Sequence, residues 1–190
     1  CSAASTGEEP YSIVMTAIEA LGSASHFKLA ASDIDSKVLA TAARGVYRSE
    51  SLKGLAPERL HRFFMRGKAG NSGLARVKPE LQTPIDFCQV NLIKNDWPFR
   101  EPFDIVFCRN VMIYFDRQTQ LAILEKLVAR FPAVPDYRED LAYSYDTLSV
   151  ALMELGERGE AAKACRAAVA IRERLTADFP SVPEYRSDLG

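Results

Sequence analysis

Three places in this sequence carry side chains that could do chemistry without the usual acid–base machinery. In Phe103–Asp116, FDIVFCRNVMIYFD, the apolar run Ile105 to Cys108 has the length and β-branched content of a strand buried on both faces. Arg109 and Asn110 follow at once. They put a guanidinium and an amide at the carboxyl end of that strand, the edge where open α/β sheets bind ligands. Tyr114 comes one helical turn or a short loop later. The second place is Ser32-Asp33-Ile34-Asp35, closing an apolar strand candidate from Phe27 to Ala31. A carboxylate at such a tip is where a nucleotide-type ligand has its ribose hydroxyls bound, and Asp33 is chosen for it. Asp33 or Asp35 also suits as cap of a helix from Ser36 to Ala43. The third is Glu8 and Glu9, after the loop Ser5–Gly7, whose plain reading is compensation of a helix dipole.

Other kinds of site are excluded by what accompanies these residues. Gly7 stands alone in its loop, so a dinucleotide GxGxxG fingerprint is absent. His26 and His61 have no nucleophile or carboxylate at a telling spacing and read as surface or satisfied histidines. Cys1, Cys88, Cys108 and Cys165 form no CxxC pair, so neither zinc nor a disulfide framework is expected, and reduced thiols in a cytoplasm are the simplest reading. With 24 Lys+Arg against 25 Asp+Glu the net charge of -1 offers no broad attraction to nucleic acid or to anionic membrane. Hydrophobic content of 47% supports a packed core, while no apolar run approaches the roughly 20 residues of a membrane span. The chain starts at Cys1, without an initiator methionine or a signal peptide, inside a ligand-type loop, as expected of a fragment.

FCRNVMIYFD resembles the CheR family of chemotaxis-receptor methyltransferases, which use S-adenosylmethionine to methylate glutamate side chains. In order, STGEEPYS (5–12), ASDID (31–35), GVYR (45–48), FMRG (64–67) and VNL (90–92) agree with it, and the resemblance covers Cys1 to about Val128. It implies a cytoplasmic enzyme acting on the cytoplasmic part of methyl-accepting receptors, with S-adenosylmethionine (S-adenosylhomocysteine as product) and no metal, nucleic acid or membrane insertion. It also implies site roles. Glu8 or Glu9 contacts the methionyl end of the cofactor; Asp33 takes the ribose; Asn91 and Leu92 lie against the adenine; Arg109 and Asn110 hold the cofactor or its loop. Tyr114 stands beside the transferring methyl, its hydroxyl an orienting donor. Arg66, Gly67 and Gly73 match members whose small β-subdomain recruits a receptor tail as an added strand.

Elements able to position these groups can be read from periodicity. A helix is expected from the Glu8 region to about Leu21, with Ile13, Val14, Ala17, Ile18 and Leu21 on one face. Another should span Ala56 to Arg66, with Pro57 in its first turn and Leu60, Phe63 and Phe64 inward. Leu74 to Lys78 and Ile85 to Val90 alternate like two strands of a hairpin joined through Pro79–Pro84, a β-hairpin subdomain around 66–90. Asp116 can cap a helix running to about Phe131.

Two features depart from the resemblance. The first and last strands of the family's sheet, and its amino-terminal helical domain, are not legible in the chain. Beyond Val128, ARFPAVPDYREDL (129–141) recurs as ADFPSVPEYRSDL (177–189). Self-similarity of this kind marks a repeat. Tyr145, Leu148, Leu152, Ala161, Cys165 and Ala168 fall at the packing positions of a tetratricopeptide repeat, Gly156 and Gly159 mark its turn, and the second helix runs to about Ala177. The expected fold class is therefore α/β: a partial Rossmann-like class I methyltransferase core over 1–128, then an all-α tetratricopeptide-like hairpin over 129–190 that offers a surface to further protein partners. Two other readings stand beside it: a non-catalytic interaction module built on a degenerate methyltransferase half, and a methyltransferase for a small carboxylic acid.

Overall fold

The computed structural model describes residues 1–108 and 110–182. It divides into two compact units: Cys1–Asn91 with Ile105–Val111, and Leu92–Asp104 with the chain from Met112 onward.

In the first unit, α1 (Glu8–Leu21) buries Pro10, Tyr11, Val14, Met15 and Ile18. The face is turned from the expected one, because the i, i+4 pair Tyr11 and Met15 carries the larger apolar surface; Leu21 is left 50% exposed. β1 (Leu29–Asp33) runs parallel to β5 (Ile85–Gln89), with Leu29 opposite Ile85 and Asp33 opposite Gln89. The strand expected at 27–31 is thus displaced by two residues. Its ladder starts where its partner does, the Leu29 N–H donating to the Pro84 carbonyl at 2.8 Å. Next, α2 (Ser36–Arg44) is capped by the Asp35 carboxylate, which accepts the Lys37 N–H at 2.7 Å. Gly45 follows at φ 59°, where an added Cβ would lie 2.3 Å from Val77 Cγ2.

β2 (Val46–Arg48), α3 (Pro57–Phe63), β3 (Phe64–Arg66) and β4 (Leu74–Val77) follow in sequence, and the three strands form an antiparallel sheet in the order β2-β4-β3. Two expectations are corrected here. The helix foreseen over 56–66 stops at Phe63, because from Phe64 the backbone is taken up by pairing with β4. Phe64 then pairs with Val77, and the Phe63 carbonyl accepts the Lys78 N–H at 2.8 Å. The hairpin foreseen over 66–90 is also absent: β4 and β5 lie in different sheets, separated by α4 (Pro79–Gln82). Proline at the start of that segment favours a helical turn. The core joins α1 to the antiparallel sheet through Tyr11, Val14, Met15, Ile18, Phe63, Val77 and Leu81. Each such side chain contributes about 1.5–3 kcal/mol by burial.

The Ile105–Cys108 run belongs to no strand and is not buried on both faces, since Ile105 is 70% exposed and Val106 and Phe107 are each 37% exposed. Ser2 bridges Ser32 on one side, and both its N–H and its hydroxyl donate to the Phe107 carbonyl, at 2.8 and 3.0 Å. A single residue between two segments supplies one rung, not a ladder.

The second unit is built on α5 (Arg117–Arg130), α6 (Pro135–Glu154) and α7 (Arg158–Asp178). Asp116 caps α5 as expected, accepting the Thr119 N–H at 2.7 Å. An edge-to-face aromatic run, Phe99–Phe103–Phe131–Tyr137, fastens the start of α6 to the segment before α5. α7 buries Ala161, Ala164, Ala168 and Leu175. Cys165, expected inside, is exposed, and Gly159 lies within α7, so the turn is made by Leu155–Glu157 around Gly156. No helix of the described residues is long and apolar enough to cross a membrane.

Candidate cofactor site

The carboxyl ends of β1 and β5 gather two of the expected residues, Asp33 and Asn91, with a hydrogen-bonded loop. Asp33 ends β1, and neither of its oxygens is idle: Oδ2 accepts the Ser5 N–H at 2.9 Å and Oδ1 the Asp35 N–H at 3.0 Å. Capping of α2 falls to Asp35 alone, leaving Asp33 to hold the loop, with further lone pairs for a ligand hydroxyl. Asn91 follows β5 by two residues, and the intervening Val90 N–H donates to the Asp33 carbonyl at 3.0 Å. The loop residues Ala3, Ser5 and Gly7 have φ of 58°, 49° and 98°. Left-handed backbone at alanine and serine costs about 1–2 kcal/mol per residue, and such strain gathers where a site is pre-shaped.

That loop delivers both glutamates. Glu8, exposed, accepts the Thr6 hydroxyl on both carboxylate oxygens at 2.9 and 2.7 Å. Glu9, half-buried, accepts the Cys1 thiol at 3.1 Å. Gly7 caps α1 without a side chain, and a Cβ there would stand 2.8 Å from the Tyr47 hydroxyl and 2.9 Å from Ala42 Cβ. Asn110 belongs to the same unit, exposed, at φ 58°, a conformation asparagine tolerates. Arg109 lies outside the described residues.

The remaining candidates belong to the second unit. Leu92 is half-buried at the start of a turn that Lys126 holds: its ammonium donates to the Leu92, Ile93 and Lys94 carbonyls at 2.9, 3.0 and 2.7 Å and lies 4.7 Å over the Trp97 ring. Burial lowers the Lys126 pKa, opposed by the charge of Asp96. Tyr114 ends a 3-10 turn, Met112–Tyr114, and is 81% exposed. The Gln120 amide anchors that turn to α5 by donating to the Met112 and Phe115 carbonyls at 2.8 and 3.1 Å.

Arg66, Gly67 and Gly73 flank the connection from β3 to β4. β3 is an outer strand of its sheet, and Arg66 and Met65 on it are exposed. The Gly67 N–H donates to the Leu74 carbonyl at 2.9 Å, and the Gly73 carbonyl accepts the Ser49 N–H at 2.8 Å.

Four supporting groups escaped the sequence reading: the Ser5 amide, Tyr47, Gln120 and Lys126. Tyr47 and Ser5 left a signal only as members of the motifs GVYR and STGEEPYS. The others act through backbone groups or across tens of residues, where a sequence carries no mark.

A carboxylate and an asparagine at the carboxyl ends of parallel strands, with a loop held on the carboxylate, form an arrangement of the kind that α/β proteins use for nucleotide-type ligands. Residues 1–133 match the model of the CheR methyltransferase SAM-binding domain, and the chain belongs to that family. It is 52% identical over 128 residues to the chemotaxis protein methyltransferase of Escherichia coli, covering 67% of this chain and 45% of that protein. The Salmonella typhimurium protein of the same name gives 52% over 128 residues, with 67% and 44% covered. Chemotaxis protein methyltransferase 2 of Pseudomonas aeruginosa gives 51% over 129 residues, with 67% and 46% covered. The chain thus spans less than half the length of these relatives.

Proposed function

We propose that the chain carries the cofactor-binding core of a methyltransferase that uses S-adenosylmethionine to methylate glutamate carboxylates on the cytoplasmic part of chemoreceptors. The observation that carries this reading is Asp33, fixed at the tip of β1 by two backbone amides, with Asn91 leaving the adjacent strand beside it. The donor set fits the cofactor: carboxylate lone pairs for ribose hydroxyls, the Asn91 amide and Leu92 side chain for the adenine, and Glu8 or Glu9 for the methionyl ammonium. Arg109 and Asn110 complete the hold on it. When bound, the sulfonium supplies an electrophilic methyl group.

The chain's own task is then small. A glutamate carboxylate with an ordinary pKa near 4.3 is already an anion at neutral pH, so no general base is needed. Tyr114 orients the incoming carboxylate through its hydroxyl, and positioning with removal of water does the rest. Arg66, Gly67 and Gly73, beside the outer strand β3, are assigned to capture of a receptor tail by strand addition. We assign 1–128 to the methyltransferase core, with the first and last strands of the family's sheet not legible in it, and 129–190 to a tetratricopeptide-like partner-binding part. The corner at Phe131 (φ −130°, ψ 64°) and that at Phe179 (φ −128°, ψ 62°) support the latter, since the two copies of the motif end their helices alike.

The test is calorimetric titration of the chain with S-adenosylhomocysteine, followed by transfer of labelled methyl from S-adenosylmethionine to receptor cytoplasmic fragments. Saturable one-to-one binding and base-labile label on glutamate are expected; a folded chain that binds no S-adenosylhomocysteine refutes the reading. The non-catalytic interaction module is the second reading, favoured by the exposure of Ile105 and of Tyr114, 70% and 81%. It predicts partner binding without cofactor.

A further inference from the structure

Resting on the cofactor reading above, we infer that Tyr47 is a positioning residue, which sets the loop Ser5–Gly7 so that Asp33 and the glutamate of Glu8 or Glu9 that meets the cofactor face one ligand. Its hydroxyl donates to the Thr6 carbonyl at 2.8 Å, across 41 residues of sequence. Thr6 lies between the two other anchors of the loop, the Ser5 N–H on Asp33 Oδ2 at 2.9 Å and the Gly7 N–H on the Ala4 carbonyl at 2.9 Å. Without Tyr47 the central peptide group would have no such anchor on the β2 side, while Ser5 (φ 49°) stores conformational strain that favours release.

The position of Tyr47 is itself fixed. It lies on β2, paired with Ala75 of β4, and its ring meets Tyr11 edge-on at 6.2 Å and 87°. Contact with Gly7 is close enough that a Cβ there would come within 2.8 Å of the Tyr47 oxygen, so tyrosine and glycine form a matched pair. Burial, with the charge of Glu8, raises the Tyr47 pKa above its ordinary value, so the hydroxyl is a donor at neutral pH.

Tyr11 supplies the control, because its buried hydroxyl donates to the Ala42 carbonyl at 2.8 Å rather than to the loop. The experiment compares wild type, Tyr47→Phe and Tyr11→Phe by calorimetry with S-adenosylhomocysteine, by Tm and by amide exchange over residues 5–7. Loss of one hydrogen bond to the loop should weaken binding about 3- to 10-fold in Tyr47→Phe and speed exchange at Ser5 and Gly7. Tyr11→Phe should lower Tm comparably with unchanged affinity and loop exchange. Unchanged affinity in Tyr47→Phe overturns the inference, as does weaker binding with loop protection intact. If wild type binds no S-adenosylhomocysteine while Tyr47→Phe still loosens the loop, the cofactor reading itself has failed, and the positioning role is overturned with it.

Discussion

Asp33 and Tyr114 divide the proposed chemistry between binding and transfer, and substitutions should divide the same way. Removing the Asp33 carboxylate takes away ligand acceptors and also the anchor of the Ser5 N–H. Charge-assisted hydrogen bonds contribute about 1.5–3 kcal/mol each, so Asp33→Ala should weaken S-adenosylhomocysteine binding at least about tenfold by calorimetry. Tyr114→Phe keeps the ring and loses only the hydroxyl. Its expected effect is a kcat lowered roughly 10- to 100-fold with little change in the KM for the methyl donor, the pattern of a group used in the transition state alone. Equal losses in both constants would refute that role. Asp33 was legible because a carboxylate closing an apolar strand has few uses; which of Asp33 and Asp35 caps α2 was not. That depended on where Ser5 comes to lie, 28 residues away.

Among the elements, α5 offers a clean measurement. Asp116 accepts the Thr119 backbone N–H, and this bond holds its carboxyl below the ordinary value of 3.8. A depressed folded pKa gives stability that is present above the unfolded value and lost as pH falls through the native one. Asp116→Ala should therefore lower Tm by a few degrees at pH 7. That difference should fade on acidification below 3.8, followed by circular dichroism. The cap was readable because Ncap chemistry is local. The fates of Leu74–Val77 and Ile85–Gln89 were not: alternation identifies a strand but not its neighbour, and β5 pairs with β1 from more than 50 residues earlier. For the same reason the apolar content of Ile105–Cys108 predicted burial that the one rung at Ser2 does not provide.

At the scale of the molecule, the chain divides into two compact units, and its single tryptophan reports on one of them. Trp97 is 6% exposed and belongs to the unit that contains α5, α6 and α7. Leu175, 1% exposed on α7, is buried in that unit too. Leu175→Ala should cost about 2–5 kcal/mol and shift the urea transition followed by Trp97 fluorescence to lower concentration. A transition that does not move would mean that α7 unfolds apart from the segment around Trp97.

The sequence by itself determined the family, the strand-end position of Asp33, the cap at Asp116 and the motif repeated around Phe131 and Phe179, because these depend on short-range spacing and local backbone chemistry. Only the tertiary structure decided which strands pair, how Asp33 shares its oxygens between Ser5 and Asp35, and that Tyr47 reaches Thr6 and Lys126 reaches Leu92. The bonds made by Ser5, Tyr47 and Lys126 join groups 28 to 41 residues apart. Long-range pairing of this kind follows from how the chain closes on itself, and a residue's own type and neighbours do not encode it.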